Sequence, residues 1–509
     1  MNKIACIINL LILMISCDTP FQKSIKLSGD NKDNLMEALN DPSINMDKRK
    51  ALEFLIINMS SHGAMQFNDS HNSRVIPNNY NNVEEVRGAM DSLDARFKII
   101  GISEDLKTIK SDFLIDRINL AFESRSYISN SLHYTDSCFY EYVLPYRVKY
   151  ETLNNWWNPL WVQLKSKIDT LSSDAIEDIA MLVDREISKQ FKYDKRYGLY
   201  PKDMTYQEMQ LHKGGTCTHC AALGAMSMRS VGIPCSIDFI PAWGNNNSRH
   251  EWNAIKIGPE KWEPYNLGEF GSGVPFYFKA PKVLRKQFSV NKNILSETDG
   301  YKRPGFLLIP NFKDVTKNYI ECTDIIISPN KEYKGLPVIS VWNNNDWRIV
   351  WYGSKTKEGV KYKNMGKEIL YMPQVFMTYQ SAPMDSPFYI DKDNTMFSFT
   401  ADSLKTDTIK DLIVWRWHWL LYRENITKHK AYNLLMWDNG WKCIARTTPD
   451  IYRNNNKIQP NILSSDSLCK KNSLQYKLNF NNVPRNALFK LAEPNQRPFF
   501  VKNGNVFYL

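Results

Sequence analysis

One spacing constrains this chain more than any other. Gly214-Gly215-Thr216-Cys217 is followed fifteen residues after the cysteine by Gly232-Ile233-Pro234, and then by Arg249-His250-Glu251-Trp252. Paired glycines allow a tight turn just before the cysteine. The apolar run after Cys217 reads as a helix that stops at Gly232, where glycine suits a C-cap. Strands are then predicted at 235–240, 252–257 and 261–265. A helix followed by antiparallel strands is the order of an α+β domain. It puts the cysteine at a helix entrance and the histidine at the start of a strand.

Those two positions carry chemistry. A helix start offers free N–H groups and the positive end of the dipole, which favour a thiolate at Cys217. The same N–H groups suit a developing oxyanion. Gly258-Pro259-Glu260 reads as a turn, and a hairpin centred on 258 pairs position 250 with Asn266. Cys217 as nucleophile, His250 as base and Asn266 as the group that orients the imidazole follow the general plan of thiol acyl transfer. The competing reading of a lone cysteine is a small buried hydrophobe. Cys217-x-x-Cys220 also has metal and redox readings. Cys235, His219 and His212 are further ligand types, but there is no second CxxC and no thioredoxin-like setting. No metal or cofactor is expected. Trp243, Trp252 and His219 are the residues expected to line a substrate groove, with core packing as the alternative for the aromatics. Arg229 is read as a structural ion-pair partner.

Together, Gly-Thr-Cys217, Gly232-Ile233-Pro234, His250-x-Trp252 and Trp262-x-Pro264-x-Asn266 resemble the transglutaminase-like superfamily core, which is similar in plan to papain. The resemblance covers about residues 170–275. More widely, segments 139–147 and 437–442 look like those of bacterial envelope lipoproteins that carry this core between a helical region and β-sandwiches. The resemblance implies a cysteine hydrolase or transferase acting on peptide, protein or peptidoglycan-type bonds, with hydrolysis leading. The family usually has Asp where this chain has Asn266. Papain-like enzymes use Asn in that role, and Glu263 and Glu269 are nearby carboxylates. Two other functions fit the same fold: a non-catalytic surface lipoprotein that binds glycan or protein, and a glycoprotein amidase.

The ends of the 509-residue chain bear on where this chemistry happens. Lys3, an apolar run over 4–15 that is too short to span a bilayer, and Ser16-Cys17 look like a bacterial lipoprotein signal with Cys17 as the lipidated residue. An ordinary cleaved signal is the alternative. The expected location is the bacterial cell envelope, with membrane contact through the anchor. The net charge of +11 is dispersed and no nucleic-acid motif is present, so nucleic acid is not an expected partner. The nine cysteines are scattered and do not form a disulfide pattern.

The expected class is therefore multidomain α+β. The layout is a signal at 1–17, a tether and helical domain at 18–165, the core at 166–304, and β-sandwiches at 305–404 and 405–509. One larger β-domain is the alternative for the last two. Residues 18–33 read as a tether. Helix periodicity marks 35–39, 52–59, 83–97 and 113–122, a helix pair broken at Pro145 is read over 137–157, and an amphipathic helix over 174–191. Short β-runs fall at 323–327, 338–342, 347–352, 369–372 and 396–400. Segments 338–347 and 434–441 echo one another as strand, Asn-rich turn and strand with Trp at both shoulders. Those Trp pairs, 342/347 and 437/441, suit sugar stacking or sandwich packing.

Overall fold

The computed structural model describes residues 18–67, 99–200, 203–329, 332–412, 415–417, 421–423, 429–452, 475–493, 496–502 and 504–509. The signal segment with Cys17 and the helix read at 83–97 lie outside them. The chain divides into two compact units. The first takes residues up to Ile237, Trp252–Gly273 and Gln287–Val290; the second takes Asp238–Glu251, Val274–Lys286 and Asn291–Leu509. The fold is a multidomain α+β one, helix-rich early and strand-rich late. Among the described residues no helix is long and apolar enough to cross a membrane.

Helices dominate the first unit where apolar residues recur at helical spacing. Leu35, Ala38 and Leu39 are buried on Lys32–Asn40, and Leu52, Leu55 and Ile56 on Met46–Asn58. Ile176, Ile179, Ala180, Leu182, Val183 and Ile187 form the buried stripe of Ile176–Ser188. Three readings need correction. Residues 18–33 are not a tether, because Pro20–Leu27 is a helix. A capping box starts it: Gln22 N donates to Thr19 Oγ1 at 3.2 Å and Thr19 N donates to Gln22 Oε1 at 2.8 Å. Buried Asn31 then donates to the carbonyls of Leu106 and Ile109. Secondly, the helical domain read over 18–165 also contains an antiparallel strand pair, Gly63–Phe67 with Ile99–Glu104.

Thirdly, the expected helix pair over 137–157 is one short helix, Asp136–Tyr142, and an irregular run that ends where Trp157–Ile168 begins. Side chains satisfy the irregular backbone. Glu151 accepts from the N–H groups of Val148 and Lys149, at 2.9 and 2.8 Å. Buried Arg147 donates to both oxygens of buried Asp105, at 2.7 and 2.6 Å. A guanidinium–carboxylate fork of this kind is tolerated in a core only when its remaining groups are also bonded. Tyr146 hydroxyl completes it at 3.1 Å from Asp105.

In the second unit, Leu336–Asn343 pairs with Asp346–Tyr352 on one side and with Ile369–Phe376 on the other. Cys322–Ile327 pairs with Gly359–Gly366 in a separate sheet. Val338, Val341, Val350, Tyr362 and Tyr371 belong to one buried cluster; Leu434, Leu478, Phe480 and Phe489 belong to another. The two echoing hairpins meet between them. Trp342 stands opposite Trp347, and Trp437 opposite Trp441. The four rings pack edge to face, with centroids 5.3 to 5.5 Å apart. The indole N–H groups of Trp347 and Trp441 are buried without a hydrogen-bond partner. Trp342 is buried in this cluster, and Trp347, Trp437 and Trp441 pack against it partly exposed.

Candidate active site

The cysteine stands where the turn chemistry puts it. The helix Cys217–Ser230 has Thr216 as N-cap and Cys217 as its first residue, half-buried. His219, at the third position, closes the cap: its Nδ1 accepts from Thr216 N at 3.1 Å. Gly215 is required by this arrangement, because a Cβ there would lie 2.6 Å from His219 Cβ. Gly214 and Gly215 pair with Lys192 and Tyr193, and Asp194 N donates to Gly215 O at 2.7 Å. At the far end the helix stops as read: Gly232 has φ +84°, and a Cβ there would meet Ser124 O at 2.3 Å.

Two residues that bear on the start of this helix carry no signal in the sequence motifs. Lys149 donates from Nζ to Thr218 Oγ1 at 2.8 Å and reaches Asp203 Oδ1 at 3.4 Å, so a mostly buried cation is bonded to the residue that follows Cys217. Tyr193 pairs with Gly215, two residues before Cys217. It is 58% exposed, and its phenol is held above its ordinary range by partial desolvation and then by the nearby Cys217. Cys220 itself is buried and donates to Gly215 O, and burial pushes its thiol up to about 12. It is therefore no second nucleophile at neutral pH.

Helix and strand meet at an amide. Asn253, on the strand His250–Lys256, donates from Nδ2 to Ala221 O at 2.7 Å. A Cβ on Gly224 would fall 2.1 Å from Asn253 Oδ1. Ala221 and Gly224 share a helix face with Cys217, at spacings of four and seven. So the stripe of the helix that bears the nucleophile is the stripe fastened to this strand.

His250 opens the strand, half-buried, and Trp243 stacks near its ring at 6.4 Å and 21°. The loop before it is tied down from a distance in sequence. Asn343, at the tip of a C-terminal hairpin, donates from Nδ2 to the carbonyls of Trp243, Asn246 and Ser248 at 3.2, 2.6 and 2.9 Å. Buried Arg497 donates to Gly244 O. Cys217 and Asn266 lie in the first unit; His250 is in the second, although most of its strand belongs to the first.

The hairpin register differs from the sequence reading. Asn253 pairs with Tyr265, Ala254 with Pro264, Ile255 with Glu263 and Lys256 with Trp262. Ile257 N donates to Lys261 O across the turn, so its loop is Gly258-Pro259-Glu260 and its centre is Pro259 rather than Gly258. Continued outward, the register sets Asn266 opposite Trp252. An offset of two residues keeps a side chain on the same face, so Asn266 is moved along the hairpin and not turned over. Asn266 Nδ2 donates to Glu269 Oε2 at 2.8 Å.

The groove expectation does not hold. Trp243, Trp252 and His219 are all buried, at 4, 1 and 4% exposure. Trp243 packs on Phe276 and Phe278, and His219 is spent on the cap. Among the described residues Arg229 makes no ion pair; it donates to the carbonyls of Cys235 and Arg147. A polar pocket of ≈ 180 Å³ in the second unit is lined by groups already bonded to one another, Lys363 with Glu297 at 3.1 Å among them.

Residues 162–267 match the family model of the transglutaminase-like superfamily. This stretch holds the Cys217 helix, the His250 strand and Asn266. No curated protein matches the chain.

Proposed function

We propose, from the premise that this chain carries a transglutaminase-like core over residues 162–267, that it is a thiol acyl-transfer enzyme hydrolysing amide or peptide bonds at the cell envelope. That superfamily includes cysteine hydrolases and transferases. The observation that carries the reading is Cys217 as the half-buried first residue of a helix inside the matched core. The buried, high-pKa Cys220 leaves the neighbouring thiol as the reactive one.

The chemistry runs in two halves. The Cys217 thiolate attacks the carbonyl carbon, a C–S bond forms, and the carbonyl electron pair moves to oxygen, held by N–H groups at the helix start. The tetrahedral species collapses, the C–N bond breaks, and the amine leaves with a proton from the His250 imidazolium. Water then gives His250 a proton and attacks the thioester, which releases the acid and returns Cys217. Asn266 holds the imidazole in the tautomer this requires. A peptide, a protein or a peptidoglycan stem fits as substrate.

An electrophilic thiol probe tests the proposal on the mature protein. Cys217 is expected to be labelled faster than Cys322 and Cys443, and His250→Ala to slow that labelling by about a hundredfold, the range of general-base catalysis. Cys217→Ala is expected to abolish amide hydrolysis. Labelling at Cys217 no faster than at the other thiols, in folded protein, overturns it.

A further inference from the structure

An asparagine in the third position poses a chemical problem. A carboxylate offers the imidazole two equivalent acceptors, whereas an amide has one acceptor prong and one donor prong. Only Oδ1 can receive a ring N–H. An amide turned the other way points two N–H donors at a ring that must itself donate.

The loop after Asn266 resolves this. Glu269 Oε2 lies 2.8 Å from the Asn266 amide. A carboxylate only accepts, so the prong facing it must be Nδ2, and Oδ1 is turned away from it. The loop is built to hold that pairing. Glu269 N donates back to Asn266 O at 2.9 Å, and Ser272 N donates to Glu269 O at 3.0 Å. Buried Asp184, on the helix Ile176–Ser188, accepts from the N–H groups on both sides of Glu269, Gly268 at 2.8 Å and Phe270 at 3.1 Å. Gly268 takes φ +86°, and a Cβ there would press on Ser188 Cβ at 3.1 Å. Glu263, the other nearby carboxylate, pairs with Ile255 and stands three residues from Asn266, on the opposite face of the hairpin.

We infer that Glu269 is a positioning residue that fixes the Asn266 amide with its oxygen available to the imidazole, and that Asp184 holds the loop that delivers Glu269. The inference rests on the Cys217–His250–Asn266 reading above. Glu269 supplies through one hydrogen bond the polarity that a carboxylate at position 266 would supply directly. Its negative charge also polarises the amide toward the ring.

The test uses the full mature protein. The rate of Cys217 alkylation by iodoacetamide at neutral pH is followed by peptide mass spectrometry, beside the melting temperature. Glu269→Ala is expected to slow alkylation about tenfold, the scale of one charge-assisted hydrogen bond, with the melting temperature unchanged. Glu269→Gln, which can turn its own oxygen to Nδ2, is expected to recover part of the rate. In an Asn266→Asp background, Glu269→Ala is expected to cost nothing, since a carboxylate needs no orienting. Wild-type speed in Glu269→Ala, or equal slowing in both backgrounds, overturns the inference while leaving the catalytic reading standing. A Cys217 rate that is indifferent to His250→Ala sinks that reading and this inference together.

Discussion

His62 and Asp184 show how single side chains set the response of the first unit to pH. The His62 ring stacks on Phe288 at 4.0 Å and bonds its carbonyl at 2.8 Å. Burial lowers its pKa from 6.5 to about 4. Protonation therefore opposes folding. The stability it contributes is present above 6.5 and is lost as pH falls toward 4. Asp184 runs the other way. Burial outweighs its two N–H bonds and raises it from 3.8 to about 6. Its contribution is full below 3.8 and is lost as pH rises through 6. His62→Gln is expected to flatten the acid side of a stability–pH curve by about 3 kcal/mol, and Asp184→Asn to steepen it. Denaturant melts from pH 4 to 7 check both; a His62→Gln curve parallel to wild type rejects the assignment. Neither shift was legible in sequence. A histidine or aspartate reads the same whether solvated or walled in by residues far along the chain. Cys217, by contrast, was legible, because its helix start is written in its immediate neighbours.

Elements divide along the same line. Ile176–Ser188 and Cys217–Ser230 were readable from apolar spacing and from a stop at Gly232, since helix period and caps are local. Pro20–Leu27 was missed because its apolar face is short, although its start, Thr19-x-x-Gln22 with Pro20, is written in the sequence. The hairpin after His250 was found, but its centre was misplaced by one residue. Three consecutive turn residues do not announce which pair closes the loop, and here Ile257 and Lys261 close it. The loop before His250 is the clearest case of remote control. Asn343 holds it from about a hundred positions away in sequence. Asn343→Ala takes a donor from three carbonyls, of which Ser248 O keeps Trp243 N at 3.0 Å, at about 1–3 kcal/mol for each of the others that stays buried and unpaired. Faster hydrogen exchange is expected over residues 243–250, with exchange in the helix Cys217–Ser230 unchanged. Unaltered protection of that loop would show that Asn343 does not hold it.

For the whole molecule, chain order and compact units are not the same thing. The segment Asp238–Glu251 lies in the second unit, while the chain on either side of it lies in the first. The anchor proposed at Cys17 is a separate matter of address. Cys17→Ser is expected to move the protein from the membrane pellet to the soluble fraction of fractionated cells, and equal pelleting would reject lipidation there. The sequence by itself determined the α+β class, the helix with its leading cysteine, the strand with its leading histidine, and the β-rich second half. Each of these follows from neighbours within a few turns or one hairpin. Tertiary structure alone decided that Trp243, Trp252 and His219 are buried and that Asp184, from a helix far back in the chain, holds the loop that carries Glu269. It also decided that four tryptophans close on one another and that a distant asparagine holds the histidine loop. Those outcomes depend on which surfaces meet after the elements form, and a hydrogen bond or ring contact across a hundred residues leaves no periodic mark in the chain.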